Sequence, residues 1–102
     1  MNDNYFDRWQ KMSLTEQMAN IGSEVYRAGS WKLKNNEKYS QKAFERALEL
    51  IDLSLACNHR QSAIREIARV REFFCGLFLS DNTDGFESLN KYFHYFALSL
   101  KR

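Results

Sequence analysis

The chain has 102 residues, with 15 basic against 13 acidic side chains and a formal charge of +2. This is the size of one domain spanning residues 1–102, and so mild a charge makes no case for nucleic acid or an anionic membrane as partner. Apolar residues at 44% and charged residues at 27% exclude a disordered chain.

A chain of this length buries roughly two thirds of its unfolded surface, enough for one core without staples. There is no proline and there are only four glycines, while eight Phe, five Tyr and two Trp make the chain rich in aromatics. So few helix breakers, combined with long 3.6-residue periods, predict an all-α fold. No stretch approaches the ~20 apolar residues of a membrane span. The start MNDNYFDRWQ lacks a basic region followed by an apolar one, so no signal peptide is expected and the cytoplasm is the default location. Cys57 and Cys75 match no zinc or redox spacing and are expected as reduced thiols in or near the core.

In chain order, residues 1–12 carry Tyr5, Phe6, Trp9 and Met12 at helical spacing, which predicts a short amphipathic helix. Its aromatic side is expected on the body of the domain, with an external contact through Tyr5, Phe6 and Trp9 as the other option. Ser13-Leu14-Thr15-Glu16 matches a capping box and starts the next helix. Leu14, Met18, Ile21, Val25 and Ala28 follow in steps of four and three. Gly22 lies beside that stripe, where it lets a neighbouring helix approach closely. The helix fades near Lys32 to Lys34, and Asn35-Asn36 marks a turn. The next helix, residues 37–57, contains the clearest core stripe of the chain, with Phe44, Ala47, Leu48, Ile51 and Leu55 on one side. Asn58 ends it. A third long helix is predicted over residues 60–79, around Ile64, Ile67, Val70, Phe74 and Phe78. Residues 80–85, SDNTDG, form a polar loop. The last helix, residues 86–100, is apolar over more than half its circumference, so it is expected to be central or covered by a second subunit. Short connections give an up-down bundle of four main helices plus the short N-terminal one.

The chemistry-bearing residues are few. His59 falls in a predicted turn and His94 among aromatics in mid-helix, and neither has a partner that the sequence identifies, so no catalytic residue is assigned. No Glu-x-x-His pair, H-E-x-x-H, C-x-x-C cluster or glycine-rich phosphate loop occurs, and Asp81-Asn82-Thr83-Asp84-Gly85 lacks the downstream acidic ligand of a calcium loop. No metal and no cofactor is expected. Charged residues line the margins of the apolar stripes: Glu24 and Arg27, then Arg46, Glu49 and Asp52, then Arg65, Arg69 and Glu72, with Arg60 and Arg71 nearby. They are expected to pair between helices and fix the register. A polar pocket holding a carboxylate or phosphate is the sharper alternative. A nucleic-acid face is disfavoured, because Glu66 and Glu72 are interspersed among the arginines.

Three fragments, ANIGSEV (residues 19–25), AFERALEL with Asp52 and Leu53, and REIARVRE (residues 65–72), resemble a group of small bacterial and archaeal helical proteins with no assigned function. Residues 26–50 resemble one tetratricopeptide repeat, although no second copy and no closing proline is present. The four-helix layout is similar to HEPN domains, bundles that often dimerise and often cut RNA. The arginine that precedes the histidine of their nuclease motif by four to six residues is missing before both His59 and His94. That resemblance therefore implies the bundle and not the nuclease. The expected function is a non-enzymatic, self-associating interaction module of no assigned pathway, with Tyr5, Phe6, Trp9, Tyr92, Tyr95 and Phe96 as candidate interface and a homodimer as the expected form. Small-anion or RNA binding through the Arg/Glu cluster is the alternative.

Overall fold

Hydrogen-bonding side chains fix where two of the helices begin. In the computed structural model, which describes residues 3–80 and 83–100, five α-helices form and no strand occurs among the described residues. They are α1 (Asp3–Lys11), α2 (Leu14–Leu33), α3 (Glu37–Leu55), α4 (Gln61–Leu79) and α5 (Gly85–Ser99). At the start of α2 the Glu16 amide donates to Ser13 Oγ at 3.1 Å, and the Ser13 amide donates to Glu16 Oε1 at 3.0 Å. Those two bonds to Ser13, the backbone one first, hold the Glu16 carboxyl below its ordinary range. Between α2 and α3, Asn35 takes the left-handed conformation at φ 57°, and the Asn36 side chain accepts from the Tyr39 amide at 3.0 Å. One asparagine thus turns the chain and the next caps the helix. Of the polar loop over residues 80–85, Asp81 and Asn82 lie outside the described residues.

Four helices run up and down, with α2 as the hub. It packs along α3 most extensively and along α5 next, α4 leans mainly on α3, and α1 lies across α3. Met18, Ile21, Val25 and Ala28 of α2 meet Ala43, Phe44, Ala47, Leu50 and Ile51 of α3, all of them buried. Of the predicted stripe, Phe44, Ala47 and Ile51 are buried, while Leu48 and Leu55 are half-buried at its margin and Leu50 and Leu53 are buried beside it. Phe44 stacks on Phe78 at 4.1 Å between ring centroids, and Phe74 meets Phe44 at 5.2 Å and Phe86 edge-on at 6.3 Å. Burying each such ring stabilises by about 1.5–3 kcal/mol, and favourable ring pairs add about 0.5–1.5 kcal/mol. These rings span the space between α3, α4 and α5. The backbones of α4 and α5 themselves approach little.

The last helix is peripheral rather than central. Phe86, Leu89 and Phe93 are buried, whereas Tyr95 and Leu98 are exposed. It reaches α2 so closely because Gly22 lies against Phe93 and Gly29 against Phe86, seven residues apart on both helices. No helix is long and apolar enough to cross a membrane among the described residues.

Lys32 is the tie that holds the far end of α4. Its ammonium donates to the carbonyls of Phe78, of Leu77 at 3.5 Å and of Ser80 at 2.6 Å. It also sits 4.9 Å from the centre of the Phe78 ring. These carbonyls lie at the C-terminal end of α4, where the helix dipole puts negative charge, and the Leu77 carbonyl also accepts from the Ser80 amide at 3.3 Å and hydroxyl at 3.1 Å. Lys32→Met keeps the aliphatic stem and removes the charge. We expect it to lower stability by about 1.5–3 kcal/mol, the range for hydrogen bonds to a charged group, measured by urea unfolding, with amide exchange rising first in residues 76–80.

Candidate functional site

The eight charged residues singled out in the sequence do not converge. Arg27 pairs with Glu24 at 2.6 Å within α2, and Arg46 pairs with Glu49 at 3.0 Å within α3. Arg46 also donates to the Tyr5 hydroxyl and sits 5.0 Å from the centre of that ring, which fastens α1 to α3. Burial opposes the Arg46 charge, but Glu49 and Tyr5 outweigh it and raise its pKa above the ordinary value. Asp52 crosses to α4, where its partner is Arg71 at 2.9 Å. That bond raises the Arg71 pKa and outweighs the burial that opposes it. Arg65, Arg69 and Glu72 point outward and are exposed. Of the pairs expected between helices, Asp52 with Arg71 forms, whereas Glu24–Arg27 and Arg46–Glu49 stay within one helix. Solvent-screened pairs of this kind each contribute little. One polar pocket built from all eight is not formed.

The candidate interface residues also divide. Trp9 is 4% exposed, and its indole N–H donates to Ser54 Oγ at 3.0 Å. Its polar end is satisfied inside the protein, so Trp9 is core and not contact surface. Tyr5 and Phe6 are half-buried against that core. On α5, Tyr92 and Phe96 are half-buried, Tyr95 is 65% exposed, and the three rings meet edge-on at 5.5 and 5.6 Å. Tyr92 donates to Glu66 Oε1 on α4 at 2.8 Å. Burial, and then Glu66, push that phenol well above its usual range. Where α4 and α5 diverge, an apolar groove of about 280 Å³ opens, lined by Val70, Phe73, Leu89 and Tyr92 with Arg69 and Ser88 at its edge. Phe73 is 51% exposed there.

A larger groove of about 640 Å³ runs between α2 and α5. Its floor is Ala19, Gly22, Phe93 and Ala97, and its rim carries Ser23, Tyr26, Arg27, Glu87, Asn90, Lys91 and His94. Asn90 Oδ1 is buried there without a hydrogen-bond partner. Leaving such an oxygen unsatisfied costs about 1–3 kcal/mol.

A third polar group is closed to solvent. Gln17, 0% exposed, donates from Nε2 to the Trp9 carbonyl at 2.9 Å, and its Oε1 lies 2.8 Å from His59 Nε2. The Trp9 carbonyl fixes which end of the amide is nitrogen, so His59 must carry its proton on Nε2. His59 is therefore a structural link rather than a solvated turn histidine. The Cys57 thiol donates to the Leu53 carbonyl at 3.2 Å, and burial pushes its pKa up while Gln17, 3.7 Å away, pulls the other way. A buried thiol with a raised pKa is a poor nucleophile. Cys57 and Cys75 are both free, as expected. His94 is exposed on the groove rim.

Among the described residues, no three of His, Cys, Asp and Glu come together in a way that could hold a metal ion. Sequence reasoning missed Gln17, Lys32, Phe73 and Asn90. Each has a polar or apolar identity that is ordinary for a helix, and only the neighbouring helix makes it unusual. Comparison with protein-family models, with curated proteins and with solved structures gives no match.

Proposed function

We propose that this chain is a non-enzymatic interaction module that pairs with a second copy of itself through the α4–α5 face. The observation that carries the reading is Phe73, 51% exposed beside an apolar groove floored by Val70 and Leu89. A ring left beside an open apolar groove is typical of a contact surface. A second copy suits it because the outer side of α4 carries both charges, with Arg65 and Arg69 near one end and Glu72 nearer the other. In an antiparallel two-fold pairing of α4 with its copy, Arg69 faces the partner's Glu72, and Phe73 faces the partner's Ala68. The same alternation makes the face a poor match for RNA. The free thiols of Cys57 and Cys75 suit a reducing compartment, and the cytoplasm is the location we infer.

Sedimentation velocity at micromolar concentration tests the pairing. The wild type is expected to sediment as a dimer. Phe73→Glu, at an exposed position, is expected to keep its helical circular dichroism and to weaken the dimer by about 2 kcal/mol or more, roughly thirtyfold in dissociation constant. A wild type that stays monomeric, or a Phe73→Glu variant that dimerises equally well, removes the proposal.

A further inference from the structure

We propose that the corner where α2 turns into α3 binds single-stranded nucleic acid, by base stacking and phosphate pairing. This surface lies away from the α4–α5 face and does not depend on self-association. Three observations carry the proposal. The first is charge. Residues 31–42, WKLKNNEKYSQK, hold four lysines and one glutamate, a balance of +3. The whole chain has +2, so everything outside this stretch sums to −1. The mild total thus conceals one concentrated basic segment. Lys32 is spent on the end of α4. Lys34, Lys38 and Lys42 are exposed, and none of them has an ion pair among the described residues.

The second observation is a pair of rings set among those lysines. Asn35 turns the chain and Asn36 accepts from the Tyr39 amide, which brings Tyr39 back against Trp31. Their ring centroids are 5.0 Å apart, and Lys34 Nζ sits 5.1 Å from the centre of the Trp31 ring. Tyr39, 47% exposed, ends this ladder at the solvent, where a base can stack on it. The third observation is alignment. Tyr39, Lys42 and Arg46 follow in steps of three and four on one side of α3, with Lys38 one turn, about 6 Å, from Lys42. Arg46 and Arg8 lie over the Tyr5 ring at 5.0 and 5.8 Å, so rings and cations alternate along the strip. The nearby carboxylates of Glu24 and Glu49 are paired with Arg27 and Arg46, and Glu45 accepts from Gln41 at 3.2 Å.

A strand of nucleic acid uses both halves of this pattern, the lysines for phosphates and the rings for bases. An acidic peptide leaves the rings unused. A lipid surface needs exposed apolar side chains beside the cations. Leu33, the exposed aliphatic residue nearest in sequence, stands two residues from Trp31, about 200° round α2.

The test is fluorescence anisotropy of the full chain with labelled oligothymidylate and oligouridylate of roughly ten nucleotides, and with an abasic strand of equal charge. Both base-bearing strands are expected to bind with a dissociation constant of about 100 µM or tighter at about 50 mM salt. The logarithm of affinity is expected to fall against that of salt with a slope of about −2, as for roughly three phosphates. The abasic strand is expected to bind at least roughly fivefold more weakly, the low end for losing one stacked base. Tyr39→Ala is expected to weaken oligothymidylate by the same factor at an unchanged salt slope. The abasic strand tests the stacking on the wild type, whatever the fold of that variant. Lys38→Gln with Lys42→Gln, both at exposed positions, is expected to flatten the slope by about 1.4 and to weaken binding at least roughly tenfold. Absence of binding, equal binding of the abasic strand, or undiminished binding by the lysine variant each overturn the proposal, as does a folded Tyr39→Ala that binds like the wild type. Oligoglutamate bound as tightly as the strands assigns the surface to an acidic protein, and phosphatidylserine vesicles bound in their place assign it to a membrane. Either result overturns it too.

Discussion

Gly22→Ala is expected to destabilise the bundle by about 2–3 kcal/mol, at the upper part of the range for overpacking, and to do so more than alanine at any other glycine. A Cβ built there lies 2.5 Å from Phe93 Cβ and 3.0 Å from its Cγ. The obstructing atom is fixed to the α5 backbone, so no rotamer relieves it and the whole helix must move. The better helix propensity of alanine offsets only about 1 kcal/mol. Gly29 is a milder case, because its Cβ meets the Phe86 ring at 2.8 Å and a ring can tilt. At Gly85 the obstacle is the Leu77 side-chain end at 2.4 Å, which can rotate away. Gly76 has nothing within 4 Å, so Gly76→Ala is expected to stabilise by about 0.5–1 kcal/mol. Urea unfolding of the four alanine variants gives the order directly. A Gly22→Ala variant as stable as the wild type would show that α5 does not ride on α2 at that distance.

The close approach of α5 shows what was legible from one strand of reasoning and what was not. The position of Gly22 beside a heptad stripe is a property of α2 alone, so a close neighbour could be expected there. Which helix comes, and that Gly29 receives Phe86 seven residues on, depends on the register between two segments distant in sequence. The capping box at Ser13 and Glu16 and the turn at Asn35-Asn36 were legible for the same reason as Gly22, since they are local. Asp52 was legible as a charge on the margin of a stripe, but its partner is Arg71 and not the Arg65 or Arg69 nearer the centre of attention. Arg71 lies two residues past Arg69, about 200° around α4, enough to turn an arginine from solvent toward α3. Lys32 reads as a helix-ending lysine, and nothing in its neighbours says that it reaches the end of α4. The apolar excess of α5 was legible too, while its place at the edge was not, because a helix that is mostly apolar can be central or can be left with an uncovered face. The exposure of Tyr95 and Leu98 is that uncovered face.

Trp9→Ala is expected to cost about 3–5 kcal/mol, the range for deleting a large aromatic from a core, and to leave any self-association through α4 and α5 unchanged when the variant is kept folded. Trp9 joins α1 to α3 through its indole bond to Ser54 and joins α1 to α2 through its carbonyl, which accepts from Gln17. Gln17 in turn holds His59 in the α3–α4 connection, so one buried amide ties three segments. Gln17→Leu preserves volume but takes the acceptor from the His59 ring nitrogen, while the Trp9 carbonyl keeps the Met12 amide at 3.1 Å. Its expected cost is about 1–2 kcal/mol, in the lower part of the range for unsatisfied buried groups. The two residues share a bond, so their effects should not add. Trp9→Ala already frees that end of the chain, and the double variant is expected to be more stable than the sum of the singles by about 0.5–3 kcal/mol. Full additivity would mean that Gln17 and Trp9 act separately and that α1 is held by apolar contact alone. A Trp9→Ala variant that unfolds like the wild type but loses self-association would return Trp9 to the surface role that its burial denies it.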